Sequence, residues 1–313
     1  MTALLRPLPL IIDCDPGIDD AVMLMIALAS PQLHLRAITT VAGNVPLHLT
    51  SRNALMICER MGRPDVPVYA GCPRPLMRKP VTAEDFHGES GIEGIEILEP
   101  TSPLASGHAV SLLIAFLEAA LPRSQTVILS GPMTNLAAAL VMAPDIAEKI
   151  GHLVVMAGAD RMGGNITPFA EFNVFADPHA AAIVFDAGIR TTVLSLDVTH
   201  TVRAEPERIA SLRGLPGAEA AMMADLLEAG NRLEARWKNG QMAPMHDPST
   251  VVYLLAPELF KVKPCRVSVV TRPGAQFGRT KVKETNSGPH DWVTAADADA
   301  FFRLIETLLK ARV

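Results

Sequence analysis

The sequence predicts an α/β protein with an open, mostly parallel sheet, doubly wound and Rossmann-like, that carries helices on both faces. Three observations predict this fold. Short β-branched runs alternate along the chain with longer segments of helical periodicity. The strand segments are continuously apolar, which is typical of strands buried on both faces of a sheet. The chain has 313 residues, of which 49% are hydrophobic, so it can form a sizeable core.

The first half of the chain begins with two strand–helix units. Strands are predicted at 8–13 and 35–40, and the helices that follow them at 19–29 and 47–61. A Ser-Pro pair ends the first helix, and Gly62 ends the second. Further strands are predicted at 126–129, 153–156 and 192–196, and further helices at 133–142 and 178–187, the latter with Asp177 as its N-cap.

The last third of the chain departs from this alternation. Segment 204–240 is helical and richer in charge, which indicates a helical excursion outside the sheet, with a helix-to-helix turn at 215–217. A late strand is predicted at 266–270 and a closing helix at 295–309. Since no repeat, low-complexity tract or linker is present, residues 1–313 are predicted to form a single domain.

Composition and charge exclude several functional classes. With 28 basic and 33 acidic residues the net charge is −5, so no basic field is available for binding nucleic acid. The longest apolar run is shorter than the ~20 residues of a membrane helix, and no signal peptide is recognisable. The four cysteines lack CxxC spacing, which argues against a zinc site or a disulfide framework. A soluble, cytoplasmic protein without a membrane partner is expected.

The dominant motif is segment 13–20 (DCDPGIDD), which places four carboxylates at a strand-to-helix junction. Acids this close together repel one another unless a cation neutralises them or a proton is shared. Oxygen ligands favour a hard ion such as calcium or magnesium. The alternative interpretation is helix capping by Asp19 or Asp20, but four acids are more than capping requires.

Other polar residues follow the predicted strands at the same end. The carboxyl ends of parallel strands meet at one edge of an open sheet, which is where ligands bind. The polar residues that follow successive strands are Asp13, Asp15, Thr39, Thr40, Asn44, Ser130, Asn135, Asp160, Asn165, Asp197 and His200.

Two further segments contribute groups suited to a polyhydroxylated ligand. The glycine-led loop 163–173 offers Asn165, Glu171 and Asn173, which donate to and accept from hydroxyl groups. Segment 245–248 (MHDP) places His246, a proton-transfer residue, beside Asp247. The alternative interpretation of this pair is a buried histidine at a helix end with Asp247 as the cap.

Taken together, these segments resemble the nucleoside hydrolases, which cleave the N-glycosidic bond of ribonucleosides with water. DCDPGIDDA is similar to the family's N-terminal signature, and TTVAGN, FHGESG, SGPMTNLA, EFNVFADP and HDP follow in the family's order. The resemblance runs from about residue 10 to beyond residue 248. It implies a small-molecule nucleoside substrate, a calcium cofactor and a homo-oligomer, either a dimer or a tetramer.

The resemblance also implies the ligands of the metal. They are Asp15, Asp20, Asp247 and the backbone carbonyl of Ser130. Asp15 is implied to deprotonate the attacking water as general base. Asp13 is implied to support these acids from behind the site.

The substrate contacts are implied in the same way. Asp19, Asn173 and Asp247 would bind the 2′- and 3′-hydroxyls of ribose, Asn165 and Glu171 the 5′-hydroxyl, and Asn44 would support the site. Cleavage builds an oxocarbenium-like transition state, and the departing base must be neutralised. His246 is the first candidate for that proton, and His87 is the second.

Base preference is the weakest part of the resemblance. Purine-accepting relatives often carry tyrosines in the helical excursion, and Gly230 and Glu234 stand at the matching positions here. A pyrimidine or broad-range nucleoside is therefore expected. Two alternatives remain, a phosphatase with a DxD nucleophile loop and a nucleoside- or ribose-binding protein without catalysis.

Overall fold

A computed structural model describes residues 7–84, 88–237 and 240–312, and these residues contain a nine-stranded sheet. The strands are β1 (Leu8–Cys14), β2 (Leu33–Thr40), β3 (Val68–Ala70), β4 (Gln125–Leu129), β5 (Ile150–Met156), β6 (Thr191–Leu194), β7 (Phe260–Val269), β8 (Thr280–Glu284) and β9 (His290–Ala296).

Eleven α-helices are assigned within the same ranges. They are α1 (Ile18–Ala29), α2 (Leu47–Arg60), α3 (Ala109–Glu118), α4 (Thr134–Met142), α5 (Phe172–Ala176), α6 (Pro178–Asp186), α7 (Leu196–Thr199), α8 (Pro206–Arg213), α9 (Ala218–Trp237), α10 (Pro248–Leu255) and α11 (Ala298–Lys310). Across these described stretches, no helix has both the length and the apolar character needed to cross a lipid bilayer.

The strand order is β3-β2-β1-β4-β5-β6-β9-β7-β8. All pairs from β3 to β9 are parallel, and only β7 pairs antiparallel, with β9 on one side and β8 on the other. The chain runs outward from β1 in both directions, so the switch in strand order lies between β1 and β4. The predicted α/β class with a mostly parallel, doubly wound sheet is confirmed.

A separate hydrophobic core lies on each face of the sheet. On β1, Leu10 and Ile12 belong to one core and Ile11 to the other, because successive side chains of a strand point to opposite faces. The first core includes α1, α9 and α11, and the second includes α3, α4 and α6. This burial on both sides explains the continuously apolar strands.

The closing segment differs from the prediction. A helix was expected at 295–309, but Ala295 and Ala296 are the end of β9 and pair with Lys261 and Phe260. Alanine favours helix, and here the pairing with β7 outweighs that preference. The closing helix begins at Ala298 instead, where Asp297 accepts from the backbone N–H of Ala300 at 3.0 Å.

Several other boundaries also differ. The strand predicted at 192–196 ends at Leu194, and the strand predicted at 266–270 begins at Phe260. Strands β3, β8 and β9 and helices α3, α5, α7 and α10 were not predicted. The helical excursion forms as expected from α8 and α9 with a turn between them, and Asp177 caps α6 by accepting from Ala180 N–H at 3.1 Å.

Candidate active site

Several polar residues of the predicted sheet edge line one cavity at the switch between β1 and β4. This is the position where open α/β sheets bind ligands. The cavity has a volume of about 310 Å³. Eight of the predicted site residues line it, namely Asp19, Asn44, Ser130, Asn165, Glu171, Asn173, His246 and Asp247.

The three remaining acids lie beneath this lining. Asp13, Asp15 and Asp20 are almost completely buried and do not line the cavity. Asn44 connects the two layers, since its side-chain amide donates to the backbone oxygen of Asp15 and to Oδ2 of Asp20, each at 3.1 Å. The predicted site residues that the structure describes therefore form one contiguous group, in which eight residues line the cavity and three acids lie beneath them. His87 lies outside the described residues.

The junction between β1 and α1 folds around Asp20. Helix α1 begins at Ile18 with Gly17 as N-cap, so the alternative in which Asp19 or Asp20 is the N-cap is wrong. Asp20 instead sits in the first turn and accepts from the backbone N–H of Gly17 at 3.1 Å. Ser130, which follows β4, donates its hydroxyl to Oδ1 of Asp20 at 2.7 Å.

Asp15 is enclosed by backbone. Its Oδ2 accepts from the N–H of Asn44 at 2.7 Å, while Oδ1 is buried with no hydrogen-bond partner among the described residues. A Cβ atom at Gly43 or Gly131 would collide with this carboxylate. Glycine at both positions allows two loops to approach Asp15 closely.

Three carboxylates meet at the boundary between the two layers. One oxygen each from Asp19, Asp20 and Asp247 lies within 4.8 Å of the others. Asp247 comes from the segment before α10, so the cluster joins two parts of the chain that are far apart in sequence. Asp15, an expected metal ligand, is outside this triad, and Asp19, expected to bind ribose, is inside it.

This cluster is electrostatically costly without a positive charge. Burial raises the pKa of Asp15 well above its usual range, and the neighbouring Asp20 raises it further. Burial, with Asp19, raises the pKa of Asp20 to about 7. Burial, with Asp19 and Asp20, also raises the pKa of Asp247 well above its usual range.

A cation fits this cluster. The donor set consists of oxygens, which hard divalent ions prefer. In addition, Oδ1 of Asp15 and Oδ1 of Asp19 are both buried without a hydrogen-bond partner in the described structure. A buried carboxylate oxygen without a hydrogen-bond partner is unfavourable unless an ion or a ligand contacts it.

Asp13 supports the cluster from the sheet. Its Oδ1 accepts from the hydroxyl of Thr39 and from the side-chain amide of Asn135, the latter at 2.7 Å. Burial raises the pKa of Asp13 to about 7, although both hydrogen bonds oppose the shift. These contacts place Asp13 behind the site, where it was expected.

The start of α5 presents the amide and acid groups of the glycine-led loop. Glu171 is the N-cap of α5 and accepts from Asn173 N–H at 2.8 Å, and burial raises its pKa to about 7. The side-chain amide of Asn173 donates to the backbone oxygen of Ser130 at 2.7 Å. Asn165 accepts from Phe172 N–H at 2.9 Å, so the loop folds back onto the helix.

His246 lines the cavity next to Asp247. Its Nδ1 is 2.7 Å from the hydroxyl of Thr199, and its ring centroid is 5.4 Å from that of His200. His200 was predicted at this sheet edge without an assigned role, whereas Thr199 was not predicted as a site residue. The signal was present, since both follow β6 at the same sheet edge as the other polar residues.

The remaining lining of the cavity is largely apolar. It comes mainly from α1 and α9 and includes Ile18, Val22, Leu226, Leu227, Gly230, Phe172 and Met245, with Glu234 as a buried acid. A cavity whose lining combines acids and amides with apolar side chains can bind a ligand that is part sugar and part planar ring.

Comparisons with known proteins identify the family of this chain. The family model described as inosine-uridine preferring nucleoside hydrolase matches residues 10–303. The pyrimidine-specific ribonucleoside hydrolase RihA of Salmonella schwarzengrund is 41% identical over 309 residues, which cover 97% of this chain and 98% of that protein.

Two solved structures have the same fold. A plant nucleoside hydrolase, PpNRh1, is 28% identical with a TM-score of 0.90, covering 97% of this chain and 99% of that one. The purine-preferring ribonucleoside hydrolase from Gardnerella vaginalis is 29% identical with a TM-score of 0.89 over the same shares. These matches favour neither a DxD-type phosphatase nor a protein that only binds its ligand. The chain therefore belongs to the inosine-uridine preferring nucleoside hydrolase family, whose members are nucleoside N-ribohydrolases.

Proposed function

We propose that this enzyme hydrolyses ribonucleosides to ribose and free base with a calcium ion and an aspartate-activated water. The observation that carries the proposal is the group formed by half-buried Asp19 and buried Asp15, Asp20 and Asp247 at the cavity, in which two carboxylate oxygens have no partner among the described residues. Four acids in this volume are costly for a protein that needs only to fold.

The proposed calcium ligands are Asp15, Asp20, Asp247 and the backbone carbonyl of Ser130. The donor set is hard oxygen throughout, and Asp19 stands within reach of the same volume. When bound, calcium would neutralise the acids and polarise both a water molecule and the ribose diol.

Asp15 is proposed as the general base. Its Oδ2 is committed to the Asn44 backbone, which fixes the orientation of the carboxylate, and Oδ1 remains to take a proton from water. The close approach of glycines 43 and 131 prevents the side chain from turning away. A fixed base lowers the entropic cost of attack on the anomeric carbon.

The sugar is proposed to bind across the polar lining. Asp19, Asn173 and Asp247 would hold the 2′- and 3′-hydroxyls, and Asn165 and Glu171 the 5′-hydroxyl. Asn44 would connect the cavity lining to the buried acids through its hydrogen bonds, and Asp13 would support these acids from the side of the sheet. The network from Glu171 to Asn173 and Ser130 supports this assignment, because it holds these donors and acceptors in place before substrate arrives.

His246 is proposed to protonate the departing base, with His87 as a second candidate. The contact between Nδ1 and Thr199 fixes the imidazole plane beside the cavity. An oriented imidazole is suited to proton transfer near neutral pH.

Pyrimidine nucleosides, or a broad range of nucleosides, are the proposed substrates. Support comes from the name of the RihA relative, which is pyrimidine-specific, and from Gly230 and Glu234 in the lining. The Gardnerella vaginalis structure is of a purine-preferring enzyme, so purines belong in the test.

We also propose one domain, a homo-oligomer and a cytoplasmic location. A single sheet from β3 to β8 supports the one-domain assignment. Four free thiols, three of them buried, are typical of a reducing compartment. Mass measurement in solution tests the dimer or tetramer.

A substrate panel tests the central proposal. Uridine, cytidine, inosine and adenosine are each incubated with enzyme, with and without a calcium chelator, and free base and reducing sugar are measured. We expect release of both products, fastest with pyrimidine nucleosides, and loss of activity on chelation. Phosphate release from phosphomonoesters, or binding of nucleosides without turnover, would contradict the proposal.

A further inference from the structure

Asp197 holds the beginning of the loop between β5 and α5. Its Oδ2 accepts from the backbone N–H of Asp160 at 2.9 Å, and its Oδ1 accepts from those of Arg161 and Met162, each at 2.8 Å. The hydroxyl of Ser195 donates to Oδ2 at 3.2 Å. Three successive amides that converge on one anion form a backbone nest, here filled by a carboxylate of the same chain.

The loop depends on such contacts because it buries little of its own surface. Residues 157–171 contain no helix or strand, and Met162 and Ile166 remain 55% and 41% exposed. Its other anchors include Thr280, which hydrogen-bonds to Ala159, Thr167, which accepts from Ala170 N–H at 2.9 Å, and Asn165, which accepts from Phe172 N–H at 2.9 Å. An irregular segment without a core is ordered mainly by its hydrogen bonds.

Asp197 also connects this loop to the part of the cavity lining that contains His246. It lies in α7, a single helical turn, and the same turn carries Thr199, whose hydroxyl contacts His246. From the other end of the nest the loop continues through glycines 163 and 164 to Asn165, which lines the cavity.

We propose that Asp197 is a positioning residue that holds Asn165 against the 5′ end of the ribose. The inference rests on the proposed function, since that is where Asn165 receives its role. Asp197 itself touches no reacting atom. Its function is to fix residues 160–162 through their amides, so that the following residues present Asn165 at a constant place.

The substitution D197N tests this proposal most directly. A carboxylate can accept all four of these hydrogen bonds, whereas an amide accepts at one oxygen only and turns its NH₂ group toward backbone donors. D197N therefore removes part of the nest without changing the size of the side chain. D160N is the matched control, because Asp160 is an exposed acid in the same loop and its change removes the same charge.

The kinetic measurement compares uridine with 5′-deoxyuridine, which lacks the hydroxyl that Asn165 would bind. In D197N we expect the ratio of kcat/KM for uridine to that for 5′-deoxyuridine to fall about tenfold, the effect of losing one hydrogen bond. The fall should come mainly from KM. N165A should lower the same ratio, and adding D197N to it should change the ratio little further. D160N should stay within about twofold of the wild type, as is usual for an exposed substitution.

A second measurement does not use activity. The side chain of Arg161 is 80% exposed, so trypsin can reach it, but its backbone is held in the nest. We expect D197N to be cut after Arg161 several times faster than the wild type or D160N. If D197N does not fold, D197S, which removes the same acceptors with less bulk, takes its place in both experiments.

The two measurements separate the possible failures. Wild-type cutting rates in D197N would show that Asp197 does not hold the loop and would overturn the proposal. Faster cutting with an equal loss on both nucleosides would overturn the link to the 5′-hydroxyl. If the wild type cleaves no nucleoside at all, the proposed function fails, and the trypsin result still decides whether Asp197 holds the loop.

Discussion

At the scale of single residues, the site is a set of carboxylates held in place by backbone donors. Asp15 receives the N–H of Asn44 and Asp20 that of Gly17, while Glu171 receives three N–H groups from its own helix start and from Gly158. Backbone N–H donors keep a carboxylate oriented without the help of a neighbouring Lys or Arg side chain. The remaining charge is what a bound metal would balance.

The first prediction concerns Asp15. D15N keeps the shape of the side chain but removes the base, so we expect turnover of the preferred nucleoside to fall about 10²- to 10⁴-fold. In the absence of calcium the same variant should unfold at higher temperature than the wild type, because one uncompensated buried charge is gone. Steady-state kinetics and thermal denaturation in chelator measure the two effects.

D145N is the control for this experiment. Asp145 is an exposed acid in the short 3₁₀ segment after α4, so the same change of charge should alter neither property. Near-normal turnover in folded D15N would remove Asp15 from the role of base.

A second prediction concerns His246. If this imidazole protonates the departing base, H246A should slow nucleosides with poor leaving bases by about 10²-fold or more. A p-nitrophenyl riboside, whose leaving group departs without a proton, should be hydrolysed at close to the wild-type rate. Comparing kcat for the two substrates measures the difference. An equal loss on both would indicate that His246 positions the sugar instead.

At the scale of elements, the site depends on how β1, α1 and the start of α10 meet. Asp15 and Asp20 flank the β1–α1 turn, and Asp247 precedes α10. The carboxylate cluster at this junction is formed by Asp19, Asp20 and Asp247. A bound ion would therefore crosslink two elements from distant parts of the chain.

This crosslink gives a third prediction. Calcium should raise the free energy of unfolding of the wild type by about 2.7 kcal/mol at one hundred times its dissociation constant, because it binds only the folded state. D20N should lose most of this stabilisation, whereas D145N should retain it. Urea denaturation with calcium and with chelator measures it. Equal stabilisation of wild type and D20N would contradict the assignment of Asp20 as a ligand.

The elements also show which features can be predicted from sequence. Segment 13–20 indicates the site in the sequence, because four acids at a strand end are more than helix capping requires. Strands β1, β4 and β5 are recognisable from short apolar runs, and β2 from its β-branched residues. Strand β9 is not, since its last alanines favour helix and its partners, β6 and β7, are distant in the chain.

The same limit applies within the site. Asn44 and Ser130 follow strands and could be placed at the sheet edge by topology alone. Asp247 comes from far along the chain, and only the family resemblance placed it with Asp20. Thr199 follows β6 as expected for an edge residue, but a hydroxyl is too common a group for its contact with His246 to be predicted.

At the scale of the whole molecule, β9 joins the parallel sheet to the antiparallel pair β7–β8. His290, at the start of β9, is 1% exposed and connects three elements. Its Nδ1 accepts from Val267 N–H at 2.8 Å, and its Nε2 lies 3.1 Å from the backbone oxygen of Phe185. Because a carbonyl can only accept, Nε2 carries the proton and the ring is neutral.

This geometry makes the stability of the fold depend on pH. Burial lowers the pKa of His290 below its ordinary value, so the unfolded chain takes up a proton at a higher pH than the folded protein does. The stabilisation by neutral His290 is therefore complete above the unfolded pKa of about 6.5 and is lost as the pH falls toward the folded pKa. The loss can reach about 1.4 kcal/mol per pH unit in that interval.

The fourth prediction isolates this effect from the buried acids, whose raised pKa values act in the opposite direction. H290Q offers a neutral acceptor and donor, so the difference in unfolding free energy between wild type and H290Q should shrink as the pH falls from 7.5 to 5.5. Urea denaturation at several pH values measures it. The same change at His34, which is exposed on β2, is the control for the histidine-to-glutamine substitution itself. A constant gap between wild type and H290Q over this range would mean that His290 can be protonated inside the fold, and that the strand it anchors adapts to the charge.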